Sequence, residues 1–217
     1  MKYKAVVFDL DGTLLYTLED LMDSVNYALA SHGLPRQTLG QVNAHVGNGV
    51  RRLVEQSVPG GENYRNFEPL FECFKRHYSL NCCNKTRPYD GITGVLEKLR
   101  SEGVKTAVIT NKFQSAADEV CGRYFKGLIT RVFGEMPGIP RKPAPDMVFK
   151  ALEALETPVE QAVMFGDSET DERTAQNAGI AHFDVLWGFR SRAQLEAVGA
   201  VNFLEKPEDI AGAVLGV

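Results

Sequence analysis

The 217-residue chain is 44% hydrophobic and 24% charged, enough apolar side chain for a sizeable buried core, and disorder is excluded as its main state. Lys and Arg number 24 against 28 Asp and Glu, a net charge of −4, so nothing draws the chain to nucleic acid or to an anionic membrane surface. No apolar run approaches bilayer thickness, and the stretch from Met1 to Phe8 is too short for a signal-peptide core. The expectation is a cytoplasmic protein whose four cysteines, Cys73, Cys82, Cys83 and Cys121, stay reduced.

In chain order, Lys4 to Phe8 is a short apolar run of the kind that forms a buried strand. Directly after it, Asp9-Leu10-Asp11-Gly12-Thr13 sets two carboxylates at i and i+2 where a strand gives way to a glycine turn, so both can face one cleft. From Leu18 to Asn84 the pattern turns helical: Leu18, Leu21, Met22, Val25, Ala28 and Leu29 keep helical spacing, and Phe67 to Tyr78 does again. Tyr64, Phe67, Phe71, Phe74 and Tyr78 are expected to be the core of this insertion. Its exit, Lys85 to Gly91, is polar and carries Pro88, as a linker does.

The remainder alternates. Val104 to Ile109, Ala162 to Phe165 and His182 to Leu186 read as strands, and Gly94 to Arg100, Ala144 to Leu155 and Glu169 to Ala178 as amphipathic helices. Gly103 and Gly179 stand where helices end in a left-handed cap. Val201 to Leu204 and a helix start at Lys206-Pro207-Glu208 add an edge strand and a closing helix. This order predicts an α/β fold, a doubly wound parallel sheet of Rossmann-like type, with an inserted small all-helical domain. The expected division is 1–15 with 86–217 for the α/β core and 16–85 for the helical cap.

Polar groups recur at the expected strand ends. Thr110-Asn111-Lys112 follows the second strong strand, Lys142-Pro143-Ala144-Pro145-Asp146 precedes a helix, and Gly166-Asp167-Ser168-Glu169-Thr170-Asp171 spans a strand-to-helix turn. Each alone has an ordinary structural explanation: turn carboxylates, a strand-terminal hydroxyl, a surface ammonium, acids favoured at a helix N-terminus. All four groups share one edge of one sheet, which is where open α/β sheets bind ligands.

In this order the four segments resemble the motifs of the haloacid dehalogenase-like phosphohydrolases, and the helical insertion resembles that superfamily's small cap. The resemblance implies a phosphoaspartyl mechanism with Asp9 as nucleophile, Asp11 as general acid and base, Thr110 and Lys142 holding the phosphoryl oxygens, and Asn111 among the substrate-binding residues. A carboxylate nearing a phosphate is repelled by about 4 kcal/mol per charge pair at 4 Å and an effective dielectric near 20, so a cation must offset the approach. Hard oxygen ligands imply Mg²⁺, with Asp9, Asp11 through its backbone carbonyl, Asp167 and Asp171 around it. Pro143 forces an extended backbone on Lys142. Asp11 argues against dehalogenation, because a halide leaves without needing a proton.

Within the insertion, Gly33-Leu34-Pro35 and Val46-Gly47-Asn48-Gly49-Val50-Arg51-Arg52 are similar to the corresponding stretch of phosphoglycolate phosphatases. The resemblance implies a small phosphorylated metabolite, with Gly47, Asn48, Gly49 and Arg52 binding it; either Arg51 or Arg52 offers a fork for a carboxylate. A loop that needs its glycines for turns, beside two solvated arginines, reads equally well. The alternatives are phosphoryl transfer of β-phosphoglucomutase type, and pyrophosphatase or nucleotidase activity. A catalytically silent binding protein would lack one of Asp9, Asp11 and Asp167, and all are present. The chain departs from the family's pattern at Tyr16-Thr17, at Phe113 and over Met136 to Pro140. His32, His45, His77 and His182 share no metal spacing and are expected to be surface or helix-packing groups. Nothing in the sequence lowers the pKa of Cys82 or Cys83 in a readable way, and monomer against homodimer is left open.

Overall fold

The computed structural model describes residues 1–216. Four successive apolar residues with no polar face form β1 (Ala5–Phe8), buried on both sides as an interior parallel strand must be. After a turn comes β2 (Leu15–Tyr16), and then the helices α1 (Leu18–Ser31), α2 (Leu39–His45), α3 (Val50–Ser57) and α4 (Phe67–Asn81). The chain continues through β3 (Arg87–Pro88), α5 (Ile92–Ser101), β4 (Lys105–Phe113), α6 (Gln114–Tyr124) and β5 (Arg131–Glu135). It ends with α7 (Asp146–Ala154), β6 (Ala162–Gly166), α8 (Glu169–Ala178), β7 (Ala181–Val185), α9 (Arg192–Glu196), β8 (Phe203–Leu204) and α10 (Asp209–Leu215). Gly103 (φ +74°) and Gly179 (φ +65°) follow α5 and α8 in the left-handed conformation expected of them.

Two compact units result. One joins residues 1–16 to the chain from Pro88 on, and the other is Thr17–Arg87. In the first, six strands lie in the order β5-β4-β1-β6-β7-β8, every neighbouring pair parallel, which is the doubly wound sheet expected. From β1 the chain winds outward through β4 and β5 on one side, then returns to β6 on the other side of β1 and winds out to β8. The winding therefore reverses between β1 and β6, and a crevice opens at the carboxyl ends of strands at such a point. Phe8 pairs with Phe165, and the Asp9 N–H donates to the Phe165 carbonyl at 2.9 Å, so the residues just past both strands leave side by side. Beneath them Ala5, Val7, Ile109 and Met164 pack on Met147, Val148 and Ala151 of α7.

In the six-stranded sheet two strand assignments differ from expectation, and the short pair β2 and β3 was not expected either. The second strong strand runs on to Phe113, because pairing with β5 is interrupted after Ile109 and resumes at Phe113 and Glu135. The segment forming β5 showed no strand signal in the sequence: it is five residues long, its ends are charged, and it lies at the sheet edge, where little apolar patterning is required.

The helical unit has its own core, in which α1 packs along α4. Phe67, Phe71, Phe74 and Tyr78 stack in series with ring centroids 6.0, 6.3 and 5.5 Å apart, as the helical spacing implied. Tyr64 is only half-buried at its margin. Buried Asp20 accepts hydrogen bonds from the Lys85 and Thr86 N–H groups at 3.0 and 2.8 Å and so ties the polar exit segment to α1.

Candidate active site

Asp9 begins the loop after β1 and is 6% exposed. The ammonium of Lys142, on the loop before α7, donates to Asp9 Oδ1 at 2.5 Å and to Asp171 Oδ1 at 2.6 Å. Asn111 sets the position of Lys142: the Lys142 N–H donates to Asn111 Oδ1 at 2.9 Å, and Asn111 Nδ2 donates to the Lys142 carbonyl at 3.0 Å. The Asn111 side chain is thus engaged on Lys142's backbone, and the Lys142–Pro143 peptide is cis. Thr110 is buried on β4, where its hydroxyl accepts from the Lys112 N–H at 3.2 Å.

Lys112, to which the sequence assigned no part, turns out to belong to the site. Its side chain is fully buried and its ammonium donates to Asp11 Oδ1 at 2.7 Å. The continuation of β4 past Ile109, absent from the expected strand, is what carries this side chain to the sheet edge. The sequence carried no signal for this pairing beyond the place of Lys112 directly after Thr110 and Asn111, since its burial and its partner, 101 residues away, are set by the fold.

Asp167 lies just past β6, its oxygens held by Thr13 Oγ1 at 3.0 Å and by the Phe189 N–H at 2.8 Å. The approach is so close that a Cβ on Gly12, whose φ is +101°, would stand 2.3 Å from Asp167 Oδ2. A Cβ on Gly166 would stand 2.3 Å from that of Asp171. Glycine at both positions is therefore a packing requirement of the acidic cluster. Asp171 closes a capping box on α8: its Oδ2 accepts from Ser168 N–H at 3.2 Å and from Ser168 Oγ at 2.6 Å, and its own N–H donates to Ser168 Oγ at 3.3 Å.

Burial governs the electrostatics here. It pushes Asp9 well above the carboxylate range; Lys142 pulls the other way, and Asp171 and Asp167 add to the rise. Burial and the neighbouring Asp171 push Asp167 up to about 7 against the hydrogen bonds from Phe189 and Thr13. Burial opposes the charge on Lys142, but Asp171 and Asp9 outweigh it and hold the ammonium above its ordinary range. Asp9, Asp167 and Asp171 each offer an oxygen within 4.8 Å of the others, all buried. This is a hard, oxygen-only donor set with more negative charge than one ammonium balances, and it fits a divalent cation. The Asp11 carboxylate stands apart from that set, on Lys112.

The remaining binding candidates, Gly47, Asn48, Gly49 and Arg52, belong to the helical unit. Gly49 (φ +84°) precedes α3 as its cap, and Gly47 is also at positive φ. Arg51 lies 4.9 and 5.1 Å over the Phe67 and Phe71 rings and pairs with Glu68 and Glu55, whereas Arg52 is more exposed and pairs with Glu55 at 3.2 Å. Tyr16 sits edge-on to Tyr89 and Phe189, at 6.2 and 6.3 Å. His182 is not at the surface: on β7 it is buried between two carboxylates, one of them Glu172 of the helix α8 that packs on it. None of the four cysteines is in a disulfide, and among the described residues no helix is long and apolar enough to cross a membrane.

At the switch point of this doubly wound sheet lies a carboxylate cluster with one buried lysine bridging two of its members, and the sequence model for haloacid dehalogenase-like hydrolases matches residues 6–185. The chain belongs to that family. It is 32% identical over 192 residues, 86% of each chain, to a phosphoglycolate phosphatase of Aquifex aeolicus. It is 30% identical to an N-acetylmuramic acid 6-phosphate phosphatase of Pseudomonas aeruginosa, across 87% of this chain and 84% of the other. A crystal structure from Lactobacillus delbrueckii subsp. bulgaricus, described as a candidate phosphoglycolate phosphatase, superposes with a TM-score of 0.94 at 34% identity over the full length of both chains.

Proposed function

We propose that this chain is a Mg²⁺-dependent phosphatase of small phosphorylated carboxylic acids, phosphoglycolate first among them, acting through an aspartyl phosphate on Asp9. The observation that carries the reading is the buried group of Asp9, Asp167 and Asp171 bridged by Lys142 at the reversal point of the sheet. Both phosphatases compared above are named for phosphate esters of an acid, which favours a substrate with a carboxylate.

The chemistry follows from the residue types. The Asp9 carboxylate attacks phosphorus, an acyl phosphate forms, and the ester P–O bond breaks as Asp11 passes a proton to the leaving alkoxide. Asp11 then takes a proton from the water that splits the acyl phosphate and frees Asp9. Lys112 keeps Asp11 in place through its 2.7 Å contact. Lys142 and Thr110 hold the phosphoryl oxygens, with Asn111 fixing the loop that delivers the ammonium. Asp9, Asp167, Asp171 and the backbone carbonyl of Asp11 would hold Mg²⁺, which when bound would supply the positive charge that a carboxylate needs to approach a phosphate. The helical unit is the part assigned to substrate selection, with Gly47, Asn48, Gly49 and Arg52 as the groups that recognise the acid. The enzyme works in the cytoplasm, in line with its free cysteines.

The test is phosphate release from a panel of phosphoglycolate, sugar phosphates, nucleotides and pyrophosphate at saturating Mg²⁺. Phosphoglycolate is expected to be turned over most efficiently, and Asp9→Asn to lose at least ~10⁴-fold in turnover while remaining folded. Release from no member of the panel, or undiminished release by Asp9→Asn, overturns the reading.

A further inference from the structure

Outside the catalytic edge the chain buries a second group of metal-ligating side chains. His182 and Asp184 stand two residues apart on β7 and so share a face of the strand, and Glu172 meets them from α8. The relative exposures are 8% for Glu172, 8% for His182 and 1% for Asp184. Glu172 Oε2 lies 3.6 Å from His182 Nδ1, and Asp184 Oδ1 lies 3.7 Å from His182 Nε2. Both distances are too long for hydrogen bonds. Both imidazole nitrogens and Asp184 Oδ1 are buried with no hydrogen-bond partner. Such atoms are costly to leave unsatisfied, and three on two facing side chains point to an unseen ligand.

We propose that Glu172, His182 and Asp184 form a second, buried site for a divalent transition ion of zinc type. One ligand atom from each residue lies within 4.8 Å of the others, a spread that an ion bound at about 2.1 Å closes with a small side-chain shift. One imidazole and two carboxylates suit Zn²⁺ or a neighbour in the first transition row, whereas Mg²⁺ and Ca²⁺ favour oxygen alone. The surroundings already orient the ligands. Gln176 Nε2 donates to Glu172 Oε1 at 2.7 Å and leaves Oε2 toward His182. Asn202 bonds the His182 carbonyl, and its own carbonyl accepts the Asp184 N–H, at 3.2 and 2.9 Å. Burial, with Glu172 beside it, pushes Asp184 up to about 8, and burial pulls His182 below its usual range, which leaves the imidazole neutral as a metal ligand must be. An ion here would tie β7 to α8, the helix whose first turn carries Asp171 and its Ser168 cap.

The experiment places the full chain in excess Mg²⁺, which favours the oxygen-only cluster, and adds Zn²⁺ alone as probe. Anomalous diffraction at the zinc edge from such crystals is expected to show a peak among Glu172, His182 and Asp184. Dialysed protein is expected to retain one zinc per chain, and His182→Gln and Asp184→Asn to retain none with unchanged circular dichroism. No peak at this position, a peak only at Asp9, Asp167 and Asp171 or at the cysteines, or equal zinc in wild type and both variants overturns the proposal. Should a variant fail to fold, the anomalous map of the wild-type protein decides alone.

Discussion

Replacing Lys142 with Met keeps an unbranched stem of similar length and removes the ammonium that stands 2.5 Å from Asp9 and 2.6 Å from Asp171. The side chains of these three residues are 3%, 9% and 1% exposed, so water cannot take over the lost contacts. Breaking a buried pair in this way costs about 3–5 kcal/mol when the stranded charge cannot adapt. Asp9 can adapt by taking up a proton, since its carboxyl is already raised by burial and loses the opposing pull of Lys142. Holding that proton costs less at pH 5 than at pH 8, so the loss grows as pH rises. Denaturant unfolding of the metal-free proteins at both pH values is expected to show the wider gap between wild type and Lys142→Met at pH 8. Turnover should fall about 10²- to 10³-fold, the usual cost of deleting one group that holds developing charge. Equal midpoints at pH 8 together with full turnover would refute both the neutralising and the phosphoryl-holding role of this ammonium.

Asn111→Ala removes the two bonds, at 2.9 and 3.0 Å, that fix Lys142's backbone. It should destabilise the fold by about 2 kcal/mol and lower kcat more than it raises KM. Unchanged kcat would show that Lys142 is positioned by other means. Gly12→Ala sets a Cβ 2.3 Å from Asp167 Oδ2 at φ +101°, so a loss of about 1–3 kcal/mol is expected, along with weaker Mg²⁺ binding by calorimetry. Wild-type affinity in that variant would remove Asp167 from the cation site. Asp167, raised to about 7 in the folded state, keeps a proton that the unfolded chain has lost above about pH 4. Stability from this group is complete below the unfolded pKa and is lost as pH rises through 7, with Asp184, up to about 8, acting in the same sense. The melting temperature of the metal-free protein should therefore fall between pH 5.5 and 8, and Mg²⁺ should restore it most at the higher pH. A flat profile would contradict the buried, crowded state of these carboxylates.

The alternation of apolar runs with amphipathic stretches was sufficient for the α/β class, because an interior parallel strand has no polar face and its sequence shows it, as in Ala5–Phe8 and Ala162–Gly166. Helical spacing likewise exposed the stacked aromatics of α4. The residue types at the strand ends were enough to single out Asp9, Thr110, Lys142, Asp167 and Asp171, since each follows an apolar run or opens a helix. Edge strand β5 escaped detection, because an edge needs little hydrophobic pattern. Which charge answers which was decided in three dimensions. Lys142 meets Asp9 across 133 residues and Lys112 meets Asp11 across 101, pairings that only the strand order and the long β4 bring about. His182 shows the same division. In the sequence no other histidine stands at metal spacing from it and only Asp184, two residues on, shares its strand face; packing α8 over β7 is what brings Glu172 to the ring, because spacing in the chain reports only local distance.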